Sequence, residues 1–320
     1  MLYAQSIIKQ ETATLPEISR FYAYVSITFF DTYEINENME ASLVAVRKVI
    51  NTLYPKYQQI TDNVIQVFSK TLLPLQINGK EGDTLDGILK WLNSDRPLSI
   101  PSEATVNKVG WENIPMNKLD SPTAGTWKHW ILKDNINLDF MDQPAEKNGR
   151  YDEELKNLKN SIKILTQLQK NTSLFWLDNK AVVGIWQDRL YDEVDNSKMS
   201  EIQFAKMQKN LALALADTVI EIWKVKYIYW SPPLRYTNSE LANNSFMSTS
   251  PRFVSEFAAV GAVASEFLAS NLPDQKEVFI QDSKDARDSG KWGGVFLDSD
   301  NQSGYVLGQK IANEILPKLN

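Results

Sequence analysis

Residues 200–229, SEIQFAKMQKNLALALADTVIEIWKVKYIY, are the longest stretch of helical periodicity in the chain. Apolar residues recur along one side of it at Leu211, Leu215, Val219, Ile222 and Trp223. Pro232 and Pro233 follow soon after, and proline ends helices because it lacks a backbone N–H donor. The stretch therefore predicts one long helix, and it sets the pattern for the rest of the chain.

Helical periodicity extends over most of the other segments as well. It predicts further helices over residues 15–35, 39–53, 58–73, 84–92, 151–168, 173–191, 251–270 and 304–316. Patterns typical of strands are nearly absent, and no repeat of fixed period is visible. We therefore predict an all-α fold, a helical bundle made of two packed helical halves.

The segment 93–150 differs in amino-acid composition from the helical segments around it. Pro, Asn, Asp and Gly are frequent there, and tryptophans occur at positions 111, 127 and 130. A loop this long is usually functional or a family-specific insertion. We predict a single domain over residues 1–320, with approximate halves 1–92 and 151–320 joined by this Trp-rich connection. The aromatic side chains of the connection should cover the surface of the bundle.

Composition excludes several classes of function. The net charge is −6 and no basic block stands out, which disfavours nucleic acid as a partner. The chain has no cysteine, so disulfides, thiolate nucleophiles and cysteine-based metal sites are excluded. No apolar run reaches the roughly 18–20 residues needed for a transmembrane segment. The first 21 residues lack the pattern of a signal peptide.

Four stretches, in order along the chain, carry a resemblance to a known family. The first runs from Ile18 to Asp31, with Arg20 eleven residues before Asp31, and the second is Gly125-Thr126-Trp127. The others are residues 216–232 and a C-terminal pair at 254–257 and 289–304. Together they resemble the bacterial branch of the superfamily of vanadium haloperoxidases and type-2 phosphatidic acid phosphatases.

The resemblance implies a helical bundle that holds vanadate or phosphate among helix ends. In that family a Lys, an Arg, a Ser-Gly-His turn and a later Arg-x5-His supply the ligands. The requirement is physical, because a multiply charged anion needs clustered cations and N–H donors. Phosphoryl transfer in the family also uses one histidine as nucleophile and another as acid.

The residues of this chain depart from that pattern at most positions. Lys226 matches the family lysine by its sequence context, whereas spacing alone would favour Lys224. Ser231 stands where the family has an arginine before Pro232. At the positions of the family lysine and of this arginine, the match to the family pattern is thus partial.

The C-terminal pair departs further. Of the Pro-Ser-Gly-His turn, Ser255 is kept, while Glu256 and Phe257 replace the glycine and the histidine. Gly290 stands at the position of the last arginine and Phe296 at that of the last histidine. We therefore predict a remnant anion pocket formed by Lys226, Ser231, Ser255, Glu256, Phe257, Gly290, Lys291 and Phe296.

The histidine count agrees with this interpretation. The chain has one histidine, His129, so chemistry that needs two cannot be assembled within it. The carboxylate of Glu256 would also repel an anion by about 4 kcal/mol at about 4 Å and an effective dielectric of about 20. We predict no catalytic residue of the parental kind, no bound vanadate or phosphate as cofactor, and no metal site.

The sequence leaves three functions open. We expect a non-catalytic homologue with a binding or structural role. The first alternative is an enzyme with rebuilt chemistry, in which Glu256, Asp298 and Asp300 act as acid and base. The second alternative is a protein that binds a small molecule or a glycan, for which a groove of tryptophans would be the sign. The resemblance also suggests a homodimer and a periplasmic or otherwise exported location.

Overall fold

The structure, a computed structural model, describes residues 1–68, 119–134, 136–177, 181–193, 198–241 and 249–319, with the single positions 87, 90 and 111. These residues form helices and connecting turns without a β-strand, so the all-α prediction is confirmed for the part of the chain described. Most of the predicted helix 84–92, the end of the helix predicted over 58–73, and most of residues 93–118 lie outside the described residues.

Thirteen α-helices lie within these ranges. They are α1 (Leu2–Ile8), α2 (Leu15–Asn36), α3 (Met39–Leu53), α4 (Gln58–Phe68), α5 (Ala145–Asn148), α6 (Tyr151–Lys163), α7 (Gln167–Trp176), α8 (Ala181–Asp192), α9 (Glu201–Tyr229), α10 (Leu234–Thr237), α11 (Glu256–Asn271), α12 (Lys276–Trp292) and α13 (Asp298–Ile315). None of them is long and apolar enough to cross a membrane.

Capping residues explain where several helices begin. Ser200 and Gln203 form a capping box at the start of α9, and the backbone N–H of Ser200 donates to Gln203 at 2.9 Å. Thr14 and Glu17 form another at the start of α2. Each box satisfies N–H groups that have no partner within the helix.

Helix α9 is the central element of the fold. It has 29 residues, which is about 43 Å at 1.5 Å per residue, and it packs against α2 on one side and α11 on another. It ends at Tyr229, and Trp230 after it adopts a left-handed conformation with φ 57°. One continuous apolar core, from Ala4 in α1 to Ile315 in α13, surrounds it.

The C-terminal helices pack closely because small residues line their contacts. Gly304 and Gly308 of α13 lie against α11, and an added Cβ at either would come within 2.4 Å of the carbonyl oxygen of Ser255 or Ala259. Helix α11 also packs along α12. These contacts bring the N-termini of α11 and α13 close to each other.

Three predicted boundaries were wrong. The helices predicted over 151–168 and 173–191 are three helices, α6 to α8, because Thr166 caps a new helix with a capping box. The helix predicted from residue 251 begins at Glu256, with Ser255 as its N-cap. The last helix begins at Asp298 instead of residue 304, since Asp300 caps its N-terminus.

Helix α12 was not predicted from the sequence. Its sequence, KEVFIQDSKDARDSGKW, has few apolar residues, and its buried face includes Ser283, Ser289 and Gly290 beside Phe279 and Ala286. The overall hydrophobicity of such a helix is low, because charged residues are frequent and small polar residues take several of the positions that face the neighbours.

The described part of the Trp-rich connection is docked on α9 by buried carboxylates. Asp217 accepts the backbone N–H groups of residues 130, 131 and 132 at 2.7–2.9 Å. Glu221 lies 2.9 Å from the Nε2 of His129. Trp223 and Tyr227 each donate to the carbonyl oxygen of Asp120 at 2.9 Å.

Candidate functional site

Two helix N-termini meet beside the C-terminal part of α9. Glu256 is the first residue of α11, and Asp300 lies in the first turn of α13. The two helices are tied together at this point, since the backbone N–H of Ser255 donates to the carbonyl oxygen of Asp300 at 3.1 Å. Carboxylates in these places are favourable, because the N-terminus of a helix carries partial positive charge.

Lys226 of α9 points into this meeting place and is 1% exposed. Its Nζ lies 2.9 Å from the Oε2 of Glu256 and donates to the carbonyl oxygens of Pro251 and Arg252 at 2.7 and 3.1 Å. Two of the three N–H donors of the ammonium thus have backbone acceptors, and its charge is balanced by the Glu256 carboxylate. The ion pair with Glu256 is buried on both sides, since Glu256 is 2% exposed.

A second buried cation, Arg252, lies next to this pair. Its guanidinium forms ion pairs with Asp300 and with Glu146, the latter on α5 at the end of the connection. Three segments far apart in sequence therefore meet at one side chain. We call Lys226, Glu256, Arg252, Asp300 and Glu146 the charge cluster.

The charges in the cluster shift the titration of Asp300. Burial raises the pKa of Asp300 to about 6, and the repulsion from Glu146 acts in the same direction. The Arg252 guanidinium and the backbone N–H of Leu297, which donates to Asp300 at 2.7 Å, oppose this shift and lower the pKa. The carboxylate is fully buried, so its desolvation dominates.

An apolar wall closes the cluster on the side of α12. Phe257 and Phe296 have ring centroids 6.0 Å apart, and the Lys226 ammonium lies 5.4 Å from the centroid of Phe296. The ring of Phe296 lies against Gly290, where a Cβ would come within 2.4 Å of it. A larger side chain at position 290 would therefore displace the phenylalanine.

Seven of the eight predicted pocket residues come together here, and Lys291 does not. Lys291 pairs with Asp298 at 2.6 Å, and the aspartate side chain is 54% exposed, so this contact lies near the surface. Ser231 is buried, and its hydroxyl donates to Glu146 at 3.4 Å. The lysine of the site is Lys226, since Lys224 contacts Glu221 instead, at 3.7 Å.

The space left inside the site is small. A cavity of about 20 Å³ is lined by Lys226, Pro233, Leu234, Arg235, Ser250, Pro251, Arg252, Glu256, Val295 and Phe296. That volume holds about one water molecule. A tetrahedral oxyanion is larger than a water molecule, so this volume does not enclose one.

Sequence reasoning missed Arg252 and Glu146. Arg252 was visible as a single charge in the run Pro251-Arg252-Phe253-Val254, four residues before Glu256. An isolated charge among residues predicted to be buried calls for a partner, which could have drawn attention to it. Glu146 had no such signal, because it lies in a charged and polar part of the connection.

The chain was compared with protein families, with curated protein sequences and with solved structures. No family model matches the chain, and no curated protein sequence matches it. Solved structures do match over almost the whole chain. One is described as the first bacterial vanadium-dependent iodoperoxidase, with a TM-score of 0.77 and 16% identity, over 99% of this chain and 94% of that one.

Two further structures are of bacterial vanadium-dependent chloroperoxidase. The holo form matches with a TM-score of 0.75 and 12% identity, over 96% of this chain and 93% of that one. The apo form matches with a TM-score of 0.74 and 12% identity, over 98% of each chain. The chain has the fold of the vanadium haloperoxidases. At these identities the likeness concerns the haloperoxidase fold alone.

The haloperoxidase fold implies vanadate as a cofactor, so the site can be tested for its fit. Vanadate is an anion and requires cations with free donors. Here Lys226 donates to two backbone carbonyl oxygens and pairs with the Glu256 carboxylate, and two carboxylates bind Arg252. The cavity holds about one water molecule. The residues present do not fit an oxyanion.

Proposed function

We propose that this protein is a non-catalytic homologue of the vanadium haloperoxidases, retained for a binding or structural role. The observation that carries the proposal is the charge cluster. Lys226 and Arg252 are both neutralised by carboxylates of the same chain, which leaves no room and few donors for an external anion. The cluster then serves to hold α5, α9, α11 and α13 together.

The position of the histidine supports this proposal. His129 lies on the connection and contacts Glu221 of α9, and it is not among the residues lining the site cavity. Phe257 and Phe296 pack against each other where the resemblance expects imidazoles. Neither ring can donate, accept or transfer a proton.

The geometry favours neither alternative. Rebuilt acid–base chemistry would need carboxylates that reach a substrate, yet Glu256 and Asp300 are buried in ion pairs and Asp298 pairs with Lys291 near the surface. A groove of tryptophans would need Trp111 to be accessible. Trp111 is instead buried, and its indole donates to the carbonyl oxygen of Trp230 at 2.8 Å.

Turnover assays test the proposal. Wild type, loaded with orthovanadate, is assayed for oxidation of bromide and iodide by hydrogen peroxide, and for hydrolysis of p-nitrophenyl phosphate without vanadate. The matched control is Ser255→Ala, since Ser255 is the residue kept from the family turn. We expect wild type and control to give the same background rate. Vanadate-dependent or phosphatase turnover above that of the control would refute a non-catalytic role.

A further inference from the structure

Two carboxylates of the charge cluster, Glu256 and Asp300, lie in the first turns of α11 and α13. A helix N-terminus beside a buried ammonium attracts an anion, because both carry positive charge. At α11 this place is taken by Glu256, the first residue of that helix. The chain thus supplies its own anion at the point where an external one would be attracted.

Removal of Glu256 and removal of Asp300 would have different consequences for the cations that these carboxylates contact. Asp300 shares Arg252 with Glu146, so the guanidinium keeps a carboxylate partner if Asp300 is lost. Among the residues that the structure describes, Lys226 contacts one carboxylate, that of Glu256, and its other acceptors are two backbone carbonyl oxygens. Loss of Glu256 would leave a buried ammonium without a counter-charge, which is strongly unfavourable.

Glu256 and Lys226 both line the cavity of the site, so the carboxylate lies where it can balance the charge of the ammonium. Among the residues that line this cavity are the cations Lys226, Arg235 and Arg252, and Glu256 is the carboxylate in that lining. Shortening Glu256 would add the volume of its side chain to the cavity. The enlarged space would then be bordered by three cations and the N-terminus of α11.

We propose that the Glu256 carboxylate is the resident anion of this site, which neutralises Lys226 and excludes external oxyanions. The inference rests on the proposed function and states what keeps the site closed. Glu256 acts as a built-in inhibitor of anion binding. It follows that a single substitution should open the site to inorganic phosphate or orthovanadate.

The test is anion binding by the full-length Glu256→Ala variant. Titration calorimetry with inorganic phosphate at constant ionic strength should give an affinity roughly ten- to hundredfold higher than for wild type, the worth of one charge-assisted hydrogen bond. Orthovanadate should compete with phosphate. Asp298→Ala, which removes an exposed carboxylate two residues from Asp300, should bind phosphate no better than wild type. The double variant K226M/E256A should lose the gained binding.

A second variant keeps the test decisive if Glu256→Ala does not fold. Glu256→Ser also shortens the side chain and removes the charge but keeps an oxygen in the buried site, so phosphate should raise its unfolding temperature more than that of wild type. The inference is overturned if folded variants respond to phosphate as wild type does, or if wild type binds phosphate as tightly as Glu256→Ala. The proposed function fails on a different measurement, the turnover of wild type.

Discussion

Asp300 is a fully buried carboxylate on which several interactions converge. It pairs with Arg252, accepts the backbone N–H of Leu297, and through its carbonyl oxygen accepts the backbone N–H of Ser255. The pKa of a buried carboxylate depends on its desolvation and on the charges and hydrogen-bond donors around it. The pKa of Asp300 should therefore change when one of its partners in the cluster changes. Its titration therefore reports on the whole site.

The shift of Asp300 predicts the sign of a pH dependence. Its pKa is raised from 3.8 to about 6, so the folded protein binds this proton more tightly than the unfolded chain. The contribution of Asp300 to the free energy of unfolding therefore falls as the pH rises from about 4 to about 7, by roughly 2–3 kcal/mol. Urea unfolding of wild type and of Asp300→Asn over this range would measure it.

Asp300→Asn should have a lower free energy of unfolding than wild type. The part of the pH dependence that comes from the titration of Asp300 should be absent. Asp298→Asn is the control, because it removes an exposed carboxylate from the same turn of α13 and should keep the wild-type slope. If Asp300→Asn shows the same pH dependence as wild type, Asp300 does not titrate in the cluster as we infer.

The geometry of the site depends on the close contact between helices α11 and α13. Gly308 lies against the backbone of α11, where an added Cβ would be 2.4 Å from the carbonyl oxygen of Ala259 and 2.8 Å from the Cβ of Ala262. This contact and that of Gly304 fix how near the two N-termini lie. A change in helix separation would move Asp300 relative to Ser255.

Gly308→Ala should therefore destabilise the protein by about 1–3 kcal/mol, the usual cost of overpacking. In an exposed helix the same change would stabilise by roughly 1 kcal/mol, because alanine has the higher helix propensity. The sign of the effect in thermal or urea unfolding thus reports on the contact. Gln302→Ala, on the exposed side of α13, should be nearly neutral. A stabilised Gly308→Ala variant would contradict the packing described.

At the scale of the whole molecule, the described part of the connection packs against the helical bundle. Asp217 is fully buried and binds three consecutive backbone N–H groups of it. Its pKa is raised by burial, and the three N–H groups oppose that shift. Farther along, Glu146 ties the end of the connection to Arg252. The connection therefore links the docking surface on α9 to the charge cluster.

Asp217→Ala should release this part of the connection from the bundle. The N–H groups of residues 130–132 would lose their acceptor, at a cost of about 1–3 kcal/mol for each one left buried without a partner. Limited proteolysis with trypsin should then cut faster after Lys128 and Lys133. Asp139→Ala, which removes an exposed carboxylate of the same segment, is the control. Equal cleavage rates in the two variants would mean that Asp217 does not hold the connection.

The sequence by itself determined the fold class and most helix positions. The periodicity of residues 200–229 predicted α9, and the motifs around Arg20, Lys226, Ser255 and residues 289–304 pointed to the fold that the solved structures share. These features are local, because apolar spacing, caps and prolines act within a few residues of each other. The one histidine and the carboxylate of Glu256 were likewise visible in the chain.

Only the tertiary structure decided which charges meet. Arg252, Glu146 and Asp300 are far apart in sequence, and nothing in their local sequence states that they share one buried site. Lys291 was expected beside Lys226, but the direction of α12 turns it to Asp298 near the surface. Ion pairs between distant segments depend on how helices pack, and packing is a property of the assembled core.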